Sequence, residues 1–395
     1  MRSGMMRMIP EIDLSSSQKK ALVDLACDMI RLKTVASNEA AIVEIIKNIF
    51  DGANIRRHII EPEQGRASII GFIGSKRPRL MLAAHTDTVA PGSGWKTDPF
   101  KPVIRNGRLY GRGSVDDKGP LASLIAAALI LKQYEAKLRG SLVIAALADE
   151  ESGSKLGLGY MFNSELWRSI KPDYAVVADT AHNMHAIDIA EKGVLRISVR
   201  CIGKAAHGAS PQKGVNAINA MAELITLLEK HRMRFKKHTL LSPPTISTGM
   251  INGGSAPNMV ADACEATLDI RYLPSQKPSG ITREIKQLCL RVQKKRGCSF
   301  TLSKTLEMKP TETNKDSSLI KCLTKAAEVV AGIKPRLIGL SGATDAKRLI
   351  LAGVPAIGFG PGDEDAAHAA NESVDIKELY EFARVCVLTG FELLL

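Results

Sequence analysis

Three apolar runs in this chain stop on side chains that bind protons or cations. Residues 80–84 lead into His85, Thr86 and Asp87; residues 142–147 lead into Asp149, Glu150 and Glu151; residues 175–178 lead into Asp179. Each run has the length of a buried strand, and a small-and-apolar helical stretch over 119–134 separates the first two. Buried strands alternating with helices imply a largely parallel sheet covered on both faces. Ligands bind such sheets at the carboxyl ends of the strands, which is where these side chains fall. The pattern therefore predicts an α/β fold with its site at one end of the sheet.

The remaining elements follow from periodicity. Ser15-Ser16-Ser17-Gln18 opens a helix to residue 32, a second covers 39–50, and 67–70 reads as a strand. Near Glu191 the style changes. Alternating residues 194–201, a helix at 215–231, alternation at 264–272, a helix at 280–296 and a strand at 299–303 make a compact α+β unit. After residue 310 the α/β style returns, with a helix at 317–331, strands at 336–339 and 354–359, and a last helix from 376 onward. We expect one α/β domain carrying an inserted second domain, divided as 1–189, 190–306 and 307–395.

With 395 residues and 45% hydrophobic content, the chain has material for large cores. A metal is then not needed as a staple, and any metal is expected to be catalytic. The formal charge is +13 and the clearest basic runs are 230–238 and 294–296, yet aromatics are 4% and no nucleic-acid-binding motif is present. These runs read as solvated helix ends and loops, with no nucleic-acid partner; the surplus suits anionic substrates. The seven cysteines are scattered without a C-x-x-C pair, so they read as small buried residues in a reducing, cytoplasmic compartment. No segment has the 18 or so apolar residues that a membrane span needs.

His85-Thr86-Asp87 places an imidazole at a strand end with a carboxylate able to orient it. Gly111-Arg112-Gly113-Ser114-Val115-Asp116-Asp117-Lys118-Gly119-Pro120 sets two adjacent carboxylates before the apolar helix. One of them can cap that helix, which leaves the other for another task. Three consecutive carboxylates at 149–151 repel one another unless cations compensate. Ala366-Ala367-His368-Ala369-Ala370-Asn371-Glu372 adds a histidine among small residues. Imidazole and carboxylate donors without thiolate suit zinc, with cobalt or manganese as alternatives. One carboxylate bridging two ions about 3.5–4 Å apart makes a hydrolytic pair, and a neighbouring carboxylate that is not a ligand can serve as base.

These motifs, in this order and over essentially the whole chain, resemble the M20 family of metallopeptidases and deacylases. Pro91-Gly92-Ser93-Gly94-Trp95-Lys96-Thr97-Asp98-Pro99-Phe100 resembles its acetylornithine deacetylase and succinyl-diaminopimelate desuccinylase branch. The resemblance implies an aminopeptidase-like zinc-hydrolase domain with a ferredoxin-like lid and dimerisation insert. It implies two divalent ions, one held by His85, Asp116 and Asp179, the other by Asp116, Glu151 and His368. Glu150 would be the general base acting on the bridging water, Asp87 would support His85, and a cis peptide would follow Asp116. In the lid, Gly203-Lys204-Ala205-Ala206-His207-Gly208 offers His207 as the oxyanion stabiliser, often across a dimer interface.

Asn252-Gly253-Gly254-Ser255-Ala256-Pro257-Asn258 and Arg271 match substrate-contacting positions, as do Gly342 and Thr344 in Ser341-Gly342-Ala343-Thr344-Asp345. The implied reaction is hydrolysis of the amide bond of an N-acyl amino acid, by a homodimer joined through the lid. A di- or tripeptidase or carboxypeptidase on the same machinery is the alternative. Position 179 is Asp, the acid more usual in the aminopeptidase and dipeptidase branches, where the deacylase and carboxypeptidase branches usually carry Glu.

Overall fold

The computed structural model describes residues 13–395. The chain divides into two compact units. The first comprises residues up to Ile189 with Thr313–Ile338 and Thr344–Leu395; the second comprises Ala190–Glu312 and Gly339–Ala343.

In the first unit the central strands are Ser141–Leu147, Arg79–His85, Tyr174–Ala181 and Ala356–Gly360, side by side and parallel. Ser141–Leu147 and Arg79–His85 are buried along their lengths apart from Arg79, the condition of strands covered on both faces. Their parallel register pairs His85 with Leu147, so both strands end at one level. Outside them lies an antiparallel hairpin, Arg56–Glu63 with Arg66–Ile73, on one side, and antiparallel Ala186–Glu191 on the other. Arg56–Glu63 was not foreseen, because half of its residues are charged and only one is buried at this sheet edge.

The helix Lys118–Lys132 is buried on nearly its whole circumference. It packs on the sheet and against Ser16–Arg31 and Ile376–Leu394, which explains its continuous apolar composition. A Cβ at Gly119 would lie 2.1 Å from the carbonyl oxygen of Ser114, so only glycine lets the helix start against the preceding turn. The helix Ser16–Arg31 opens with the expected capping box: Gln18 N–H donates to Ser15 Oγ, and Ser15 N–H donates to Gln18 Oε1. Each fully buried leucine or isoleucine in these faces contributes about 1.5–3 kcal/mol.

The second unit is a four-stranded antiparallel sheet in the order Thr245–Gly253, Ala263–Tyr272, Gly193–Ile202 and Ser299–Met308. Its helices Ala217–Lys230 and Pro278–Arg296 build one core with the inward residues of that sheet. The βαββαβ order is the ferredoxin-like one. The last strand continues past the expected boundary at 306 to Met308. A bulge between Lys304 and Leu306 interrupts its alternation and hides the continuation.

Lys295 and Arg296 of the second basic run pair with Glu223. All seven cysteines are free, and five of them are buried; burial pushes the Cys289 thiol up to about 12. No helix among the described residues is long and apolar enough to cross a membrane.

Candidate metal centre

The three strand-end signals meet at one end of the first unit's sheet. His85 closes its strand with both ring nitrogens engaged. Nδ1 lies 3.0 Å from the carbonyl oxygen of Asp87, and Nε2 lies 2.8 Å from Asp116 Oδ1. The other oxygen of Asp116 is 2.9 Å from His368 Nε2, which also lies 3.0 Å from Glu151 Oε1. One carboxylate thus stands between two imidazoles that are 283 positions apart in sequence. The peptide bond after it, Asp116–Asp117, is cis.

Asp87 acts on two strand ends at once. Its carboxylate, wholly buried, accepts the backbone N–H groups of Glu150 and Glu151 at 3.1 and 3.0 Å. Oδ1 is also 3.5 Å from His85 Nδ1. Burial opposes its charge, but His85 and the two N–H groups outweigh it and hold the carboxyl below the usual range. Asp87 therefore fixes the ring of His85 and the turn that carries both following acids.

The three consecutive carboxylates are resolved by different partners. Asp149 points away to Arg66 Nη2 at 2.8 Å and accepts Leu156 N–H, with Arg66 also held by buried Glu39. Glu150 and Glu151 remain for the site. His85, Asp116 and Glu151 bring one ligand atom each within 4.8 Å of one another, as do His85, Glu150 and Asp179. His85 belongs to both groups. Glu150, expected as a base rather than a ligand, stands with Asp179.

The electrostatics call for cations. Burial, then Asp345, then Glu151 and Asp116, push the Glu150 carboxyl well above the carboxylate range. Burial, Glu150 and Asp116 do the same to Asp179. His368 is pushed up to about 10 by its hydrogen bonds to Asp116 and Glu151. His85 is raised well above its ordinary value, burial being outweighed by Asp116 and Asp87, while Asp116 is held far below the carboxylate range by the two imidazoles. A field that binds protons this tightly on imidazoles binds a divalent cation by the same attraction. The donors are nitrogen and oxygen, and the residues fit metal ions.

The supporting loops carry residues that sequence reasoning did not assign. Glu372 and Arg112, both fully buried, pair at 2.6 Å. Glu372 also accepts the N–H groups of Gly113, Val115 and Asp116, and Arg112 Nη2 donates to the carbonyls of His368 and Ala369. Burial and Asp116 push the Glu372 carboxyl up to about 7 despite Arg112 and those N–H groups. The signal was an opposite pair of charges, one in each small-residue loop. Lys118, also fully buried, donates from Nζ to the Leu32 carbonyl, and burial pushes it down to about 7.

Asp117 makes no side-chain cap to its helix; Oδ2 instead accepts the backbone N–H of His85 at 3.1 Å. Asp345, another buried acid facing Glu150, accepts Ser154 Oγ at 2.7 Å. Thr344 caps the helix Asp345–Leu351, its Oγ1 accepting Ala346 N–H.

The other sequence candidates lie in the second unit. His207 is exposed, its Nδ1 accepts Ala209 N–H, and Gly208 N–H donates to the Asn258 carbonyl at 2.7 Å. His207 and Asn258 are thus brought together. Arg271 is held by Asp269 at 2.6 Å and donates from Nη1 to the Ser341 carbonyl. Gly342 is exposed, and a Cβ there would meet nothing within 4 Å.

The model of peptidase family M20/M25/M40 matches residues 81–389, and the chain belongs to that family of metal-dependent hydrolases. It is 31% identical over 354 residues to a Proteus mirabilis protein named acetylornithine deacetylase, covering 87% of each chain. It is 27% identical over 403 residues to a probable succinyl-diaminopimelate desuccinylase of Staphylococcus aureus, covering 93% of this chain and 96% of the other. Among solved structures, a tripeptidase of Staphylococcus aureus superposes with a TM-score of 0.77 at 22% identity, covering 95% of this chain and 98% of that one.

Proposed function

We propose that the chain hydrolyses the amide bond of an N-acyl amino acid, an acetylated or succinylated diamino acid being the leading substrate class. The observation that carries the reading is Asp116 between His85 and His368, with the half-buried Glu150 close enough for their charges to interact. We assign one divalent ion to His85, Asp116 and Asp179 and the other to Asp116, Glu151 and His368, with zinc as the metal. When bound, such ions supply Lewis acidity and lower the pKa of water.

Glu150 takes the proton of the attacking water as its oxygen bonds to the acyl carbon. It then returns that proton to the leaving nitrogen as the C–N bond breaks, giving a carboxylic acid and an amine; transfer of the remaining hydroxyl proton to the amine yields the carboxylate and the ammonium ion. Its raised affinity for a proton suits both directions of transfer. Asp87 keeps the His85 ring and the Glu150 turn in register. His207 is assigned to the oxyanion; Asn258, Arg271, Gly342 and Thr344 are assigned to substrate recognition, and the surplus of basic residues to attracting anionic substrate.

A second reading, cleavage of di- or tripeptides, is favoured by Asp179 and by the likeness to a tripeptidase structure. The experiment is amine release from a panel of N-acyl amino acids and dipeptides, with zinc, cobalt or manganese supplied. Turnover of the acyl amino acids alone supports the first reading, of dipeptides alone the second. Turnover of neither class with any of the metals overturns both. We assign residues 190–306, with their continuation to 312, to a lid and dimerisation domain. Its edge strand Thr245–Gly253 exposes Met250 at 71% and Ile251 at 54%, and an exposed apolar edge invites strand pairing between two copies. The free, mostly buried thiols suit a cytoplasmic, reducing compartment.

A further inference from the structure

At the opposite end of the first unit's sheet is a cavity of about 390 Å³, within the range of small-molecule sites. Its lining includes Arg56, His58, Phe72, Arg79, Val143 and Leu166. Arg79 begins the strand that His85 ends, so the cavity lies about 20 Å from the metal centre at ~3.3 Å per residue. Strand register places Arg56 opposite Phe72 and His58 opposite Ile70. Arg56, His58, Phe72, Arg79 and Val143 thereby share one face of the sheet, and the helix Glu165–Ile170 walls the cavity through Leu166, Ser169 and Ile170.

Of the three arginines that line this cavity, Arg57 is paired with Asp51. Among the described residues, neither Arg56 nor Arg79 has a carboxylate within ion-pair distance of its guanidinium. Nearby acids are taken by other groups: Asp51 by Arg57, Asp173 by Arg77 and the Arg79 N–H, Glu135 by Lys132 and the Gly74 N–H. Arg56 lies over the Phe72 ring at 5.3 Å from its centroid. That stacking occupies a face of the guanidinium and leaves its N–H edge for a planar acceptor. Arg79 uses Nη1 on the Ser169 carbonyl, which orients the rest of its fork. Phe72, Val143, Leu166 and Ile170 supply an apolar wall beside these donors.

We propose that this cavity binds a small organic carboxylate with an apolar body, its carboxylate held by Arg56 and Arg79 and its body against Phe72 and Leu166. Two guanidinium groups favour an anion, their flat forks favour a planar carboxylate, and the apolar wall favours a body over a bare ion. The site is independent of the amide chemistry, since none of its residues belongs to the metal centre.

The test is titration calorimetry of the metal-loaded full chain with benzoate, inorganic phosphate and benzyl alcohol, repeated on Arg56→Gln and Arg79→Gln. Saturable benzoate binding that weakens at least tenfold in each variant, with no binding of benzyl alcohol and weaker binding of phosphate, is the expected result. Arg56 is exposed, so Arg56→Gln is expected to keep the wild-type melting temperature; if Arg79→Gln does not fold, Arg56→Gln decides. Absent benzoate binding, or binding unchanged in Arg56→Gln, overturns the proposal. Phosphate binding as tightly as benzoate overturns the assignment of an apolar body.

Discussion

The carboxylate of Glu372 is 2.6 Å from the guanidinium of Arg112, with both side chains excluded from water. Together they tie two loops: Glu372 takes the N–H groups leading to Asp116, and Arg112 takes the carbonyls of His368 and Ala369. The two histidine-facing oxygens of Asp116 are thereby set relative to His368 by a contact that includes neither. Removing one partner of a buried pair leaves an uncompensated charge, at about 3–5 kcal/mol. Glu372→Gln should therefore lower the melting temperature and weaken metal binding by about 10–100-fold. Chelator competition measures the second effect; unchanged affinity would reduce the pair to a scaffold contact.

Glu150→Gln removes the proposed proton acceptor and keeps the side-chain volume. Turnover should fall by about 10²–10⁴-fold, while metal content by elemental analysis stays at the wild-type stoichiometry. Because Glu150 also stands with His85 and Asp179, loss of one ion in this variant would make it a ligand rather than the base.

Asp87→Asn replaces a carboxylate that accepts from two successive backbone N–H groups. One amide oxygen cannot reproduce both oxygens, and the –NH₂ would face an N–H donor. Both metal affinity and kcat should drop, with affinity falling by about 10–100-fold. A variant with full affinity and activity would show that the acid turn holds itself.

In the metal-free protein, pH should act through the imidazoles. His368 is raised from 6.5 to about 10, so its pairing with Asp116 and Glu151 stabilises the fold fully below about pH 6.5. That contribution is lost as pH rises through about 10. Chelator-treated protein should show a falling melting temperature across this window, and His368→Ala should flatten the fall. Metal ions compete with the same protons, so metal affinity should rise with pH. Equal pH profiles for the wild type and His368→Ala would refute this.

Gly119→Ala would place a Cβ 2.1 Å from the Ser114 carbonyl. The helix start must then shift away from the turn that carries Asp116. A loss of stability beyond the usual 1–3 kcal/mol of overpacking is expected, read as reduced soluble yield or a lowered melting midpoint.

Much of the site was legible because its donors sit where local patterns end. His85, Glu150, Glu151 and Asp179 each follow an apolar run, and parallel strands deliver their ends to one level. The buried helix Lys118–Lys132 was equally plain, since an apolar stretch of that length has few other fates. The edge strand Arg56–Glu63 was not legible: its register comes from its hairpin partner, and its side chains are largely those of a surface.

Sequence alone indicated an α/β class with alternating strands and helices, and it marked candidate donors, because these depend on neighbours a few residues apart. Tertiary structure decided what each charge does. It sent Asp149 to Arg66, turned Asp117 to the His85 backbone rather than to a helix cap, and joined Glu372 to Arg112 across 260 positions. No periodicity encodes such pairings. They follow from burial, where a charge must find an opposite charge or a polar backbone group, and only the folded chain determines which one lies within reach.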